Sequence, residues 1–410
     1  MDPGNSIPLA SIAHQALTRL ATASGSPALR ALEGATLLGE RATRAGLRIS
    51  GRTSAGGGCR LLDARGDTIA LNLARSADRE LLPALFENDQ LNANDDAAIA
   101  ACIARTDAHA LVKRGRSMGL AMAAEHERHP AHEHLPLFGR SGSTLCTELA
   151  TAPRAASPGS SAAVRRTPRV VDLSALWAGP LAAHLLWLAG AEVVKVESRS
   201  RPDAMRGAAG DFYALINQGK ATIAVDLADG GERRALLALI AAADIVIEAA
   251  RPRALEQLGI DADRIVRDTP GLVWISITAH GATGEPAGWV GFGDDCGVSG
   301  GLSAALRSAT GRTGFVGDAL ADPLTGIFAS LAAWDAWISG RGVRLELAMS
   351  HVVARCLAAA RYENPDGLQS CLRTWESARG QPFPKVTWRA VKAPPLFCGG
   401  IQEYLAATAR

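Results

Sequence analysis

The sequence predicts an α/β protein built on a mostly parallel sheet, with a small α+β unit ahead of it. From residue 169 onward, short β-rich runs alternate with apolar helical stretches, the pattern of a parallel sheet covered by helices. The stretch 152–169, APRAASPGSSAAVRRTPR, is rich in Pro, Ser and Ala and has no apolar periodicity, so it separates two regions. Over 410 residues, a hydrophobic share of 48% suffices for more than one core.

In the first region, helical patterns precede RLLDARGDTIALNL, which predicts two strands joined by a turn at Arg65, Gly66 and Asp67. Helical stretches are expected at 78–86 and 95–120. In the second region, RVVDL and AEVVKV flank the helical PLAAHLLWLAG as a βαβ unit. Strands ATIAVDL, DIVIEA, LVWISIT and VRLELAM follow, with helices at GERRALLALIAAA, 323–338 and 351–360. The expected division is a small α+β domain at 1–135, a linker at 136–168, a large Rossmann-like domain at 169–360 and an irregular wrap at 361–410.

Charge and cysteine usage exclude several classes. Forty-three Lys+Arg against 41 Asp+Glu, a net charge of +2, give no basic field for nucleic acid. No apolar run approaches the length of a membrane span. Seven scattered cysteines without a CxxC pair suggest neither a disulfide framework nor a zinc knuckle, and the expected setting is cytoplasmic. Four histidines, His126, His129, His132 and His134, sit in a polar, Pro-containing loop, and no metal is expected.

Few motifs carry chemistry alone. Ala178-Gly179-Pro180 opens a helix directly after a strand, leaving backbone N–H groups for an anion, although proline often simply starts a helix. Dinucleotide, P-loop and serine-hydrolase signatures are absent from the sequence. Gly56-Gly57-Gly58 precedes a strand and reads as a mobile turn able to approach a substrate carbonyl. Asp322 lies before a proline that opens a long apolar helix; the place suits an N-cap or a carboxylate nucleophile toward an activated acyl group. The Asp294-Asp295 pair fits an acid/base couple, with solvated loop residues as the alternative. Trp177, Trp289, Trp334 and Trp337 suit either an apolar substrate lining or a core.

Five blocks in order resemble the class III CoA-transferases, the family of formyl-CoA transferase and of carnitine and bile-acid CoA-transferases. They are VVDLSALWAGPLAAHLLWLAGAEVVKVES, the Asn217 to Lys220 turn with its strand, DIVIEAARPRALEQLGI, LVWISITAHGATGEPAG and the Asp322 segment with Gly326. The resemblance implies a CoA-transferase with Asp322 as nucleophile, passing through an aspartyl anhydride and an aspartyl-CoA thioester. It also implies CoA contacts at Ala178, Gly179, Pro180, Lys195, Glu197, Arg199, Lys220 and Arg251, and a glycine lid at Gly56, Gly57 and Gly58. The large domain would then bind CoA. Acyl-CoA and a carboxylic acid are the implied substrates, coenzyme A being substrate rather than a permanently bound cofactor, and a homodimer is the implied assembly. Two departures stand out: the segment resembling the family's small domain precedes the linker, and Ala249-Ala250 replace the family's Asn-Phe. Alternatives are an α-methylacyl-CoA racemase-like enzyme, for which GWVGFGDDC lacks the expected histidine, and a degenerate CoA-binding homologue without turnover.

Overall fold

The computed structural model describes residues 7–127, 137–139, 142–143, 145–152, 167–208 and 210–408. A small antiparallel sheet has the order β1 (Cys59–Asp63), β2 (Thr68–Asn72), β3 (Ala121–Ala124). An eight-stranded sheet comprises β4 (Thr147–Thr151), β5 (Arg169–Asp172), β6 (Glu192–Ser198), β7 (Ala221–Val225), β8 (Ile245–Glu248), β9 (Val273–Thr278), β10 (Val343–Ala348) and β11 (Leu396–Gly400). Its order is β11-β7-β6-β5-β8-β9-β10-β4, parallel throughout except for the antiparallel pairing of β4 with β10. Every residue of β8 and β9 is buried, as expected of unbroken runs such as IVIE and VWISIT covered on both faces.

Seven of the helices matter most for the site: α1 (Ala10–Ser24), α2 (Gly34–Arg44), α3 (Ala178–Leu188), α4 (Gly293–Ser299), α5 (Ala321–Ile338), α6 (Met349–Glu363) and α7 (Pro365–Ser377). On one side of the sheet, Leu181 and Leu185 of α3 and Leu324, Ile327 and Phe328 of α5 join Val170, Ile247 and Ile275 in the largest core. The other side is closed by Leu236, Ile240, Val266 and Ile401 from three further helices. Gly326 sets the crossing of α3 and α5, since a methyl there would lie 2.7 Å from the Ala178 carbonyl.

The small sheet is two-faced in the same way. Ile69, Leu71 and Met122 pack under the helices Asp96–Ala104 and Ala108–Ser117. Cys59, Leu61, Ala70 and Ala123 face the other way and meet Val298 of α4 and Phe315. The small sheet thus seats directly on the helix that carries Asp294 and Asp295.

Three features differ from the sequence expectation. Ahead of the small sheet, α1 and α2 pack against α5 in the main core, because their apolar stripes (Ile12, Ala16 and Leu20; Leu37 and Leu38) match its surface. Residues 147–151, expected as linker, form β4, since even a polar strand satisfies its backbone by pairing with the sheet edge. Beyond residue 361 the chain is regular in α7, whose Leu368, Leu372 and Trp375 are buried, and in β11. The stretch 153–166 and His129, His132 and His134 lie outside the described residues.

Candidate active site

Strand order reverses between β5 and β8, and a parallel sheet opens a crevice beyond its carboxyl ends at such a point. A cavity of about 390 Å³ lies there. Ala175, Leu176, Ala178 and Gly179 after β5, Ala249, Ala250 and Arg251 after β8, and Ile277, Thr278 and Ala279 around the end of β9 line it. Trp289 to Phe292, Arg75, Arg201, Met349 and Asp322 complete the wall. Leu176 holds a left-handed backbone with φ +67°, fixed by its N–H donating to the Asp203 carboxylate.

Asp322 sits in the first turn of α5, two residues inside the helix whose N-cap is Leu320. Its backbone N–H donates to the Ala319 carbonyl at 2.9 Å. Its carboxylate accepts from the Ala178 N–H, the first residue of α3. Two helix N-termini thus face one carboxylate, and both favour its negative charge. Burial nevertheless pushes its pKa up to about 7, against the pull of Arg41 and the Ala178 N–H, with Asp294 and Asp295 adding to the rise.

The neighbours explain that electrostatic setting. Asp294 and Asp295 occupy the first turn of α4 beside Asp322, not a solvated loop. Asp295 is wholly buried and accepts from Asn72 Nδ2 at 2.8 Å and from the Phe292 N–H at 3.0 Å; burial raises it to about 7. Burial and Asp318 raise Asp294 to about 6, while Arg41, the Ser54 hydroxyl and the Ala319 N–H oppose the rise. Gly293 leaves the gap that Asp322 fills.

The other expected site residues divide clearly. Ala178, Gly179 and Arg251 line the cavity, and Arg251 is exposed. Pro180 is buried, its carbonyl taken by Lys220 Nζ at 2.8 Å. Lys220 is buried with Asp172 at 2.8 Å and Asn217 at 2.9 Å, and burial lowers it to about 8. Lys195 is equally buried, donating to the Ser174 carbonyl and paired with Asp203. Glu197 holds Arg206 and the Tyr213 hydroxyl, and Arg199 pairs with Glu232 at the surface. Lys195, Lys220, Glu197 and Arg199 are thus engaged with other protein groups and are not among the residues lining the cavity.

Gly56 and Gly57 are exposed, and Gly57 takes φ +79° in a turn closed by its N–H on the Ser54 carbonyl. With Gly58, this turn lies beside Arg41 and Asn72 rather than in the cavity wall. Of these four tryptophans, only Trp289 lines the cavity; Trp177 is buried at the start of α3, and the Trp334 and Trp337 rings lie 5.0 Å apart, tilted by 56°, along α5.

Sequence reading missed Arg41, Asn72 and Arg116, all from segments ahead of the linker. The Arg116 guanidinium lies 4.2 Å from the Trp289 ring centroid and pairs with Glu127. The one signal was charge on apolar helix faces, as with Arg41 beside Leu37, Leu38 and Ala42. Among the described residues, His280, Asp295 and Cys296 have polar atoms within 4.8 Å of one another, as do Asp67, Glu125 and His126, so either set could hold a metal ion.

The chain is 28% identical over 200 residues to an acyl-CoA transferase of Fusarium pseudograminearum, covering 44% of this chain and 44% of that one. It is 30% identical over 207 residues to the succinate–glutarate CoA-transferase of Agrobacterium fabrum, covering 46% and 52%. A CAIB/BAIF family protein of Brucella suis, solved as a crystal structure, shares 27% identity over 49% of this chain and 57% of that one, with a TM-score of 0.42. The chain thus matches about half the length of the curated relatives. The profile of CoA-transferase family III matches residues 167–371, half of the sequence and nearly all of the cavity wall, and the chain belongs to that family.

Proposed function

We propose that this protein moves CoA between an acyl-CoA and a carboxylic acid, with Asp322 as nucleophile. The observation that carries the reading is a carboxylate at the cavity wall, held between two helix N-termini. A carboxylate oxygen of Asp322 attacks the thioester carbonyl, the C–S bond breaks, and CoA leaves as thiolate. The thiolate attacks the aspartyl carbonyl of the anhydride, expelling the donor acid and leaving an aspartyl-CoA thioester. The acceptor carboxylate attacks that thioester to form a second anhydride. Returning thiolate takes the acceptor acyl group and frees Asp322. Every charge is carried by carboxylate or thiolate, so no proton has to move.

The cavity wall supports these roles. Arg251 and Arg201 offer guanidinium groups to the phosphates of CoA, while Ala178 and Gly179 let its chain pass close to the backbone. Proton transfer at an α-carbon has less support: no histidine is among the described residues lining the cavity, and His280 is buried edge-on to Trp289.

The test is isotope exchange between acyl-CoAs and free acids, followed by borohydride or hydroxylamine trapping. Wild-type protein should exchange label and yield an adduct at Asp322, and Asp322→Ala should do neither while remaining folded. Exchange retained by Asp322→Ala, or no adduct with any acyl-CoA, rejects the reading.

A further inference from the structure

Asp322 contacts two backbone groups, the Ala319 carbonyl and the Ala178 N–H. The residue before each is held by one side chain. Arg41, on α2, forks onto Asp318 through Nε at 2.8 Å and through Nη2, and its guanidinium carbon lies 4.9 Å from the centroid of the Trp177 ring. Asp318 is wholly buried and Trp177 nearly so, which makes both contacts rigid. Arg41 comes from a helix more than a hundred residues ahead of the family-matching segment.

The groups facing Asp322 are mostly acidic. Asp294 and Asp295 approach from α4, with the Cys296 thiol behind them, and Asp318 lies in the loop entering α5. Arg41 is the cation set among these carboxylates. Arg75, Arg201 and Arg251 stand around the cavity wall, and Arg75 is held by Asp78 and the Gly119 carbonyl.

We propose that Arg41 is the positioning residue of the Asp322 carboxylate: it ties the loop before α5 to the start of α3 and keeps the nucleophile ionised. This rests on the reading of Asp322 as nucleophile. A bidentate guanidinium stacked on an aromatic ring does both tasks, which a lysine cannot. The N-terminal helices then form part of the reaction centre, supplying the charge that the matched segment does not place there.

The test reads Asp322 directly, without substrate, by carboxyl carbon NMR of protein labelled at its aspartates, with Asp322→Asn assigning the signal. Arg41→Gln alone would strand buried Asp318, so it is paired with Asp318→Asn. In that double variant the Asp322 midpoint should rise by about one pH unit or more, roughly a tenfold loss of carboxylate at a fixed pH below it. Should the double variant not fold, Arg41→Lys carries the same test. An ammonium cannot both fork onto Asp318 and lie over Trp177, so its midpoint must also rise. An unchanged midpoint in either folded variant overturns the proposal. Wild-type protein that transfers no CoA would reject the nucleophile reading while leaving the titration result to stand or fall alone.

Discussion

Gly293 and Asp322 compete for the same space: a methyl on Gly293 would overlap Asp322 Oδ2 and lie 2.6 Å from the Ala319 carbonyl. Gly293→Ala must therefore move Asp322 or the loop before it. The expected outcome is about a hundredfold fall in exchange rate. Destabilisation should stay near 1–3 kcal/mol. Denaturant unfolding beside the exchange assay separates the two effects.

The pH profile of exchange follows from the charge state the nucleophile needs. In the proposed reaction only ionised Asp322 attacks, and its pKa is raised to about 7. Exchange should fall about tenfold per unit as pH drops below that value and level off above it. Rates at saturating substrate from pH 5 to 9 check this, and a flat profile contradicts it.

Stability should respond in the opposite sense. Asp294, Asp295 and Asp322 carry folded pKa values of about 6, 7 and 7, while unfolded aspartate titrates near 3.9. Between those limits the folded state binds more protons, so this part of the stability is present at about pH 4 and is lost as pH rises through 6 to 7. Asp295→Asn keeps an acceptor for Asn72 and removes one titration. Relative to wild type, it should gain stability between pH 5 and pH 8 in urea unfolding.

Lys220 offers a structural control. Its ammonium joins Asp172, Asn217 and the Pro180 carbonyl inside the protein. Lys220→Met leaves Asp172 buried and unpaired, at an expected cost of about 3–5 kcal/mol. If Lys220 were instead a surface contact for phosphate, the variant would keep its stability and lose only affinity.

Arg251 should behave the other way. It is exposed on the cavity wall, so Arg251→Gln should raise KM for acyl-CoA several-fold, leave kcat and unfolding nearly unchanged, and weaken the salt dependence of KM. A fall in kcat at constant KM would remove it from substrate binding.

The alternation of β5, α3 and β6 was legible because short valine-rich runs, as in RVVD and EVVKVES, flank the apolar helical stretch PLAAHLLWLAG. Asp322 was legible because proline at the next position marks a helix start. The burial of Lys195 and Lys220 was not legible for a physical reason: a lysine is usually solvated, and only the fold shows that Asp203 and Asp172 arrive to neutralise them. Strand β4 escaped notice because TELAT alternates weakly, and its place is decided by the open edge of β10. Arg41, Asn72 and Arg116 left almost no trace, since their partners lie roughly 170 to 280 residues away along the chain, a separation no local pattern records.

Both rims of the large sheet come from outside the family-matching stretch, β4 before it and β11 after it. Trimming the protein to 167–371 would bare the ladder groups of β7 and β10 at once, each a template for other chains to pair with. It would also strip α1 and α2 from α5. The recognisable half of this sequence is therefore not self-sufficient: its flanks act as a built-in chaperone, and an excised version should aggregate rather than turn over.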